Sequence, residues 1–254
     1  MHNPVGPWVE ANTLYIDQSD LKRHLAVSTS EEFVLFDVGL GAAANALAAL
    51  AATRSVGPNH RPLRMVSFER DLELLRFALE HASYFDHFLG YEKALEQILE
   101  KGFWSEGSIT WELRHGDFLD HIEKETHRPH LIFFDPYSSK VNQEMWTTEC
   151  FRKIRRLSRE PSEGGTFLYT YSQATRIRVA LICAGFSVGY GSATGLKSET
   201  TEASTDPARL KSPLGKLWLD RWRKSHLRYP YDCKTEDEQA FDRLVENGLS
   251  SIKN

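Results

Sequence analysis

From Phe33 to Asp37 the chain is apolar, β-branched and aromatic without alternation. That pattern predicts a strand buried on both faces of a parallel sheet. Gly39 and Gly41 follow, and then the alanine-rich run AAANALAALAATR, a strong helix former. Further strands are predicted at Leu63–Phe68, ending in Glu69, at HLIFF, ending in Asp135-Pro136-Tyr137, and at GGTFLYTYS. In SITWELRHGD, Ile109, Trp111 and Leu113 alternate with polar residues, which predicts a half-exposed strand at the sheet edge. FSVGYG and GLKSETTEAS read as a final strand pair. Between the strands, DLELLRFALEHA places Leu72, Leu75, Leu79 and Ala82 on one helical face with Asp71 as N-cap, and YEKALEQILEKG stops at Gly102. NQEMWTTECFRKIRRLSR and ATRIRVALICAG, with Gly185 as its stop, supply two more helices. Strands alternating with helices predict a doubly wound α/β domain over residues 31–205. Residues 1–30 form an arm in which Tyr15 and Ile16 lie in a short strand or extended segment before a short helix. Residues 206–254 form a C-terminal extension, entered through DPARLKSP and closed by a capping helix in TEDEQAFDRLVENGLSSI.

Composition narrows the setting. A chain of 254 residues is enough for one large α/β domain or two small ones, and 41% apolar and 26% charged residues are ordinary for a globular protein. The net charge of −4 means that any nucleic-acid contact needs a local basic face. Cys150, Cys183 and Cys233 lie far apart with no C-x-x-C, which argues against a zinc site or disulfide framework and fits a reducing cytoplasm. The N-terminus shows neither a basic n-region nor an apolar h-region, and no apolar run reaches membrane-spanning length. His115, His121, His127 and His130 fall close together but match no metal motif, so surface positions are expected and no metal is assigned.

The strand ends carry the chemistry. Asp37, Glu69, Asp117 and Asp135 all fall there, and parallel strands bring such residues to one sheet edge, where α/β domains bind ligands. An acid after the second strand suits the two ribose hydroxyls of an adenosine, and Asp117 suits the exocyclic amine of adenine. Each also reads as a plain turn or surface acid, and the glycine turn as an ordinary βα turn. GLGAAA fits the dinucleotide pattern G-x-G-x-x-G/A, but Glu69 lies 30 positions beyond Gly39, where that fold expects its ribose acid after about 20. A pyrophosphate also sits poorly beside four carboxylates, since phosphate sites use N–H groups and cations. S-adenosyl-L-methionine, a sulfonium without phosphate, fits better.

At these residues the chain resembles the MnmC-type methyltransferase domain, which methylates the aminomethyl group of a modified wobble uridine in bacterial tRNA. That family's first motif, approximately E-x-G-F-G-T-G-L-N-F, is matched by DVGLGAAANA, which keeps Gly39, Gly41 and Asn45. Its F-L-D-G-F-A-P-x-K-N-P-E-M-W is matched by FFDPYSSKVNQEMW, which keeps Asp135, Lys140, Asn142, Glu144, Met145 and Trp146. AGFSVGYGSATGLKSE is similar to its late A-G-F, G-x-G and K-R-E block. TLYIDQSDL is similar to its D-V-Y-F-S arm, with Tyr15 on the tyrosine. Ala42-Ala43-Ala44 stands where the family has T-G-L, and Pro136–Ser139 where it has G-F-A-P. At 254 residues the chain has no room for the FAD-dependent oxidase domain to which some members are fused.

The resemblance implies a Rossmann-like class I methyltransferase with a seven-stranded, mostly parallel sheet, one antiparallel strand and helices on both faces. It implies S-adenosyl-L-methionine at Asp37, Gly39, Gly41, Asn45, Glu69, Asp117 and Asp135, and catalysis by Asp135, Tyr137 and Tyr15. The reaction is displacement at the sulfonium methyl by an amine. An ordinary aspartate, with a pKa of about 3.9, is too weak a base for an alkylamine, so Asp135 is read as an orienting acceptor, with the Tyr137 ring flanking the developing cation. For tRNA, the candidate phosphate contacts are Arg152, Lys153, Arg155, Arg156 and Arg159, with Arg221, Arg223, Lys224 and Arg228 in the tail. Methylation of a small molecule or another amine, and a methyltransferase-like module that binds adenosine ligands or RNA without turnover, are the alternative readings; a nicotinamide oxidoreductase ranks below them.

Overall fold

The computed structural model describes residues 6–193 and 198–250. Its frame is one eight-stranded sheet: β1 (Phe33–Val38), β2 (Leu63–Glu69), β3 (Phe103–Glu106), β4 (Ile109–His115), β5 (Leu131–Phe134), β6 (Phe167–Thr170), β7 (Ser187–Gly191) and β8 (Thr200–Ser204). The spatial order is β3-β4-β2-β1-β5-β6-β8-β7. β4, β2, β1, β5 and β6 are mutually parallel. β8 runs antiparallel to β6 and β7, and β3 antiparallel to β4. The expected seven strands are therefore eight, with two reversed. β8 is the expected reversed strand; β3 is the addition.

β3 also corrects the predicted edge. β4 alternates, but it is flanked by β2 on one side and β3 on the other. Its alternation has a different origin. Ile109 and Trp111 enter the core, while Glu112 and Arg114 on the opposite face join a row of ion pairs with Arg64 of β2 and with Glu125.

Helices cover both faces, as a sheet with two apolar sides requires. Along β1, Phe33 and Leu35 enter one core layer, and Val34, Phe36 and Val38 the other. The first layer holds α1 (Pro7–Ala11), α2 (Leu21–Leu25), α3 (Ala44–Val56), α4 (Glu73–Glu80) and α5 (Glu92–Lys101). The second holds α6 (Phe118–Lys124), α7 (Thr148–Leu157), α8 (Thr175–Cys183), α9 (Lys216–Arg223) and α10 (Glu238–Ser250).

Two terminal expectations change. Tyr15 and Ile16 lie in a π-helical stretch, Asn12–Asp17, with both side chains buried, not in a strand. The tail packs closely: Trp218, Trp222, Phe241, Val245 and Leu249 share the second core layer with α8. The expected capping helix is α10. Part of the late motif similarity, Thr194–Lys197, lies outside the described residues, as does the N-terminal Met1–Val5.

Candidate active site

Gly39 and Gly41 turn the chain from β1 into α3 with φ of +91° and +52°, a region that L side chains avoid. At Gly39 the need is also steric. A Cβ there overlaps the Asp135 carbonyl oxygen and comes within 2.9 Å of Pro136 Cα. The end of β5 is thus pressed against the glycine turn. At Gly41 the nearest atom to a Cβ is Leu74 Cδ2 at 3.9 Å, so that side of the turn is open. Ala43 also has a positive φ, +62°, at the N-cap of α3. It stands on the glycine of the T-G-L in the resembled motif, a residue suited to that positive φ.

Glu69 is buried and braces the turn. Its Oε2 accepts from Gly41 N–H at 2.9 Å, and its Oε1 accepts from the N–H groups of Arg70 and Asp71 at 2.8 and 3.0 Å. One lone pair on Oε2 remains for a ribose hydroxyl. Asp117, also at a strand end, is exposed and caps α6, accepting from Leu119 N–H at 2.8 Å. The capping bond occupies Oδ1 and leaves Oδ2 free to accept from an amine.

Asp37 does not stand at the lip. It pairs in register with Ser67, two residues below Glu69, and is fully buried. Its Oδ2 accepts from Ser67 Oγ at 2.8 Å, which in turn accepts from Trp111 Nε1 at 2.9 Å. Its Oδ1 has no partner. Burial, chiefly, with the nearby Asp135 and Glu69 charges, raises its pKa to about 7. The expected fixed charge at the strand end is therefore a group poised between its acid and its base.

Asp135 is the meeting point. Asn45, on the first turn of α3, donates from Nδ2 to Asp135 Oδ2 at 3.0 Å. Tyr15 reaches the same place from the arm, its ring packed on Phe133 at 4.9 Å. Burial, followed by the Asp135 charge, holds the Tyr15 hydroxyl well above its ordinary pKa, so it stays protonated. Tyr171, just past β6, is also held up by burial and by Asp135. Sequence reasoning passed over Tyr171; its place at a strand end next to β5 was the available signal. Tyr137 is 52% exposed, and its carbonyl accepts from Trp146 Nε1 at 3.0 Å. The structure thus gathers Asp135, Asn45 and Tyr15 around the glycine turn and leaves the Tyr137 ring in solvent.

The tail supports this region, which the sequence did not show. Asp232 accepts from Thr148 and Glu149 N–H at 3.0 and 3.1 Å, capping α7. Tyr231 donates to Ser139 Oγ at 2.9 Å, in the loop after Asp135, and lies under the Arg176 guanidinium.

The expected basic cluster is largely paired. Arg152, Lys153, Arg155 and Arg159 meet Glu149, Glu123, Glu160 and Glu31, and Arg159 lies toward the amino-terminal edge of the sheet, away from the glycine turn. In the tail Arg223 and Arg228 pair with Glu246 and Asp242. Arg221 and Lys224 are exposed and have no carboxylate partner among the described residues. Of the four histidines, His130 departs from the expected surface position: its side chain is 11% exposed.

Comparison with known proteins agrees with this geometry. Residues 83–206 match a family described as S-adenosyl-L-methionine-dependent methyltransferase. The chain is 26% identical over 221 residues to a protein of Pseudomonas putida (strain W619), covering 84% of this chain and 33% of that one. It is 28% identical over 234 residues to one of Cupriavidus metallidurans, covering 87% and 34%. Both are named tRNA 5-methylaminomethyl-2-thiouridine biosynthesis bifunctional protein MnmC; the chain spans about a third of their length. The crystal structure of MNMC2 from Aquifex aeolicus superposes with a TM-score of 0.70 at 20% identity, covering 98% of this chain and 77% of that one, which speaks for the fold. Sheet order, glycine turn and family match together define a class I methyltransferase that uses S-adenosyl-L-methionine. Within that class the chain is similar to the methyltransferase portion of proteins of the MnmC type.

Proposed function

We propose that the chain transfers a methyl group to the aminomethyl nitrogen of a modified wobble uridine in tRNA, in the cytoplasm. The observation that carries the reading is the Asp135 carboxylate, fixed by Asn45 and neighboured by the Tyr15 hydroxyl, at the point where β5 touches the glycine turn. The relatives whose names specify tRNA and 5-methylaminomethyl-2-thiouridine support the acceptor.

The residues present fit the cofactor. The open side of Gly41 and the remaining Oε2 lone pair of Glu69 offer an adenosine room and an acceptor, and Asp37, whose Oδ1 has no partner, is buried below them. Gly39, Gly41, Glu69 and Asp117 would hold the adenosine part, with Asp37 beneath. When bound, S-adenosyl-L-methionine supplies a methyl already activated by its sulfonium. The protein's part is then alignment, which is worth several kcal/mol in such reactions. Asp135 accepts from the amine N–H bonds and aims the nitrogen lone pair. Asn45 keeps one carboxylate oxygen in place. Tyr15 stays neutral and steadies the carboxylate without adding a charge. The Tyr137 ring, exposed to solvent, is given no part in this alignment. For the tRNA backbone, exposed Arg221 and Lys224 in the tail are the better phosphate contacts, since most cations of α7 already face carboxylates.

The test is transfer of labelled methyl to bulk tRNA, read by nucleoside mass spectrometry. Label in a methylaminomethyl uridine is expected; label only in small-molecule amines, or none in the presence of bound cofactor, contradicts the reading.

A further inference from the structure

A cavity of about 250 Å³ opens at the other end of the sheet, at the amino-terminal ends of β1, β5 and β6. It is remote from the glycine turn, so it holds neither the cofactor nor the reacting amine. Its chemistry is distinct as well. Arg61 and Arg209 line it together with His24, His130 and a single acid of their own edge, Glu31. Glu163 also borders it but is engaged by Arg128. Glu31 is shared by Arg61 at 3.1 Å and Arg159 at 3.4 Å, and stands 3.7 Å from His130 Nε2. Arg209 donates to the Gly164 carbonyl and has no carboxylate partner among the described residues. Cationic groups therefore outnumber the acids that face them.

The hydrogen bonds identify what is missing. Val34 N–H donates to His130 Nδ1 at 3.0 Å, so the ring proton sits on Nε2. That Nε2–H faces the Arg61 guanidinium at 3.2 Å. Two donors confront each other, and Glu31 is too far from Nε2 to accept from it. Protonation of the ring does not relieve this, because it adds a donor where Val34 already donates. Burial, with Arg159 and Arg61 nearby, lowers the His130 pKa to about 3, and burial also lowers that of His24. An anionic oxygen placed to one side, within reach of both Nε2–H and the guanidinium, satisfies both donors. The walls are flat rings. Phe33 stacks on His130 with centroids 4.8 Å apart, and the guanidinium of Arg209 lies 4.6 Å over Phe167.

We propose that this cavity is a second ligand site, which binds a phosphate group through Arg61, Arg209 and His130, with room beside the rings for the flat group that the phosphate carries. The chemistry is shared by a mononucleotide and by a backbone phosphate of RNA.

Calorimetry on the full chain tests this, with the cofactor crevice filled by saturating S-adenosylhomocysteine. The probes are inorganic phosphate, uridine 5′-monophosphate and a short single-stranded RNA without a terminal phosphate. Saturable phosphate binding is expected, weakened about tenfold or more in Arg209→Gln. It should tighten in Glu31→Gln, which removes the competing carboxylate. Both side chains are exposed enough for the variants to fold. The monophosphate binding more tightly than phosphate, with the RNA silent, assigns a mononucleotide; binding of the RNA that is lost in Arg209→Gln assigns a backbone phosphate. No saturable binding of any probe, or affinities indifferent to both substitutions, overturns the proposal.

Discussion

Asp37→Asn is the most quantitative perturbation the structure offers. The folded chain raises the Asp37 pKa from an ordinary 3.8 to about 7, mainly by burial. A folded state that holds its proton more tightly than the unfolded state loses stability as pH rises. The loss begins near pH 4, continues to about pH 7 and is complete above it. A gap of about 3 units corresponds to roughly 4 kcal/mol, a large share of a domain's usual 5–15 kcal/mol. Asparagine has nearly the same shape, accepts the Ser67 hydrogen bond and never ionises. The variant should therefore match the parent only near pH 4 and exceed it increasingly above, the gap widening by roughly 3 kcal/mol between pH 5 and pH 8. Glu125, whose pKa is held down to about 2 by hydrogen bonds from His127 and Thr126 against its burial, titrates in a lower window and is common to both proteins. Urea unfolding of both proteins at pH 5, 6, 7 and 8 reads the difference directly. Parallel stability curves across that range would refute the burial argument. The same reasoning predicts that S-adenosylmethionine, being cationic, expels the proton on binding at pH 6, whereas neutral-sulfur S-adenosylhomocysteine expels much less. Calorimetry in buffers of different ionisation enthalpy distinguishes them.

Other consequences follow from single contacts. Gly39→Ala places a methyl against the backbone of Asp135 and Pro136 at positive φ. It should cost roughly 2–4 kcal/mol in denaturant unfolding and abolish S-adenosylhomocysteine binding; wild-type affinity would contradict the close approach. Ala43→Gly relieves a left-handed alanine worth about 1–2 kcal/mol at the expense of one buried methyl. It should be neutral or slightly stabilising, whereas Ala48→Gly inside α3 should lower the melting temperature. Asp232→Ala uncaps α7, which should cost about 1 kcal/mol and speed proteolysis of the tail; unchanged cleavage would show that the cap does not hold the tail.

Local pattern carried much of this fold. β1, the glycine turn and α3 were legible because an unbroken apolar run, two glycines and an alanine-rich run are each local signals. Asp135 was legible as the acid closing the most apolar strand. What failed was long-range. The short β3, with Trp104 its one buried side chain, has too little periodicity to announce itself. It is defined by pairing with β4 across Gly107. The depth of Asp37 depends on its register with Ser67, which no window of sequence contains. The use of Asp232 as a helix cap joins residues 84 positions apart. The basic run on α7 looked like a nucleic-acid face because its partners, Glu123, Glu160 and Glu31, are in other elements or beyond the helix. The second cavity was hidden for the same reason: His130 and Arg61 meet across the sheet edge, 69 positions apart.

The central claim is that Asp135 orients the acceptor at a crevice whose cofactor contacts lie elsewhere on the glycine turn. Its most direct test is Asp135→Ala, with S-adenosylhomocysteine affinity and methyl transfer to tRNA measured on the same preparation. The account predicts near-parental affinity with transfer reduced a hundredfold or more, and transfer at the parental rate would contradict it.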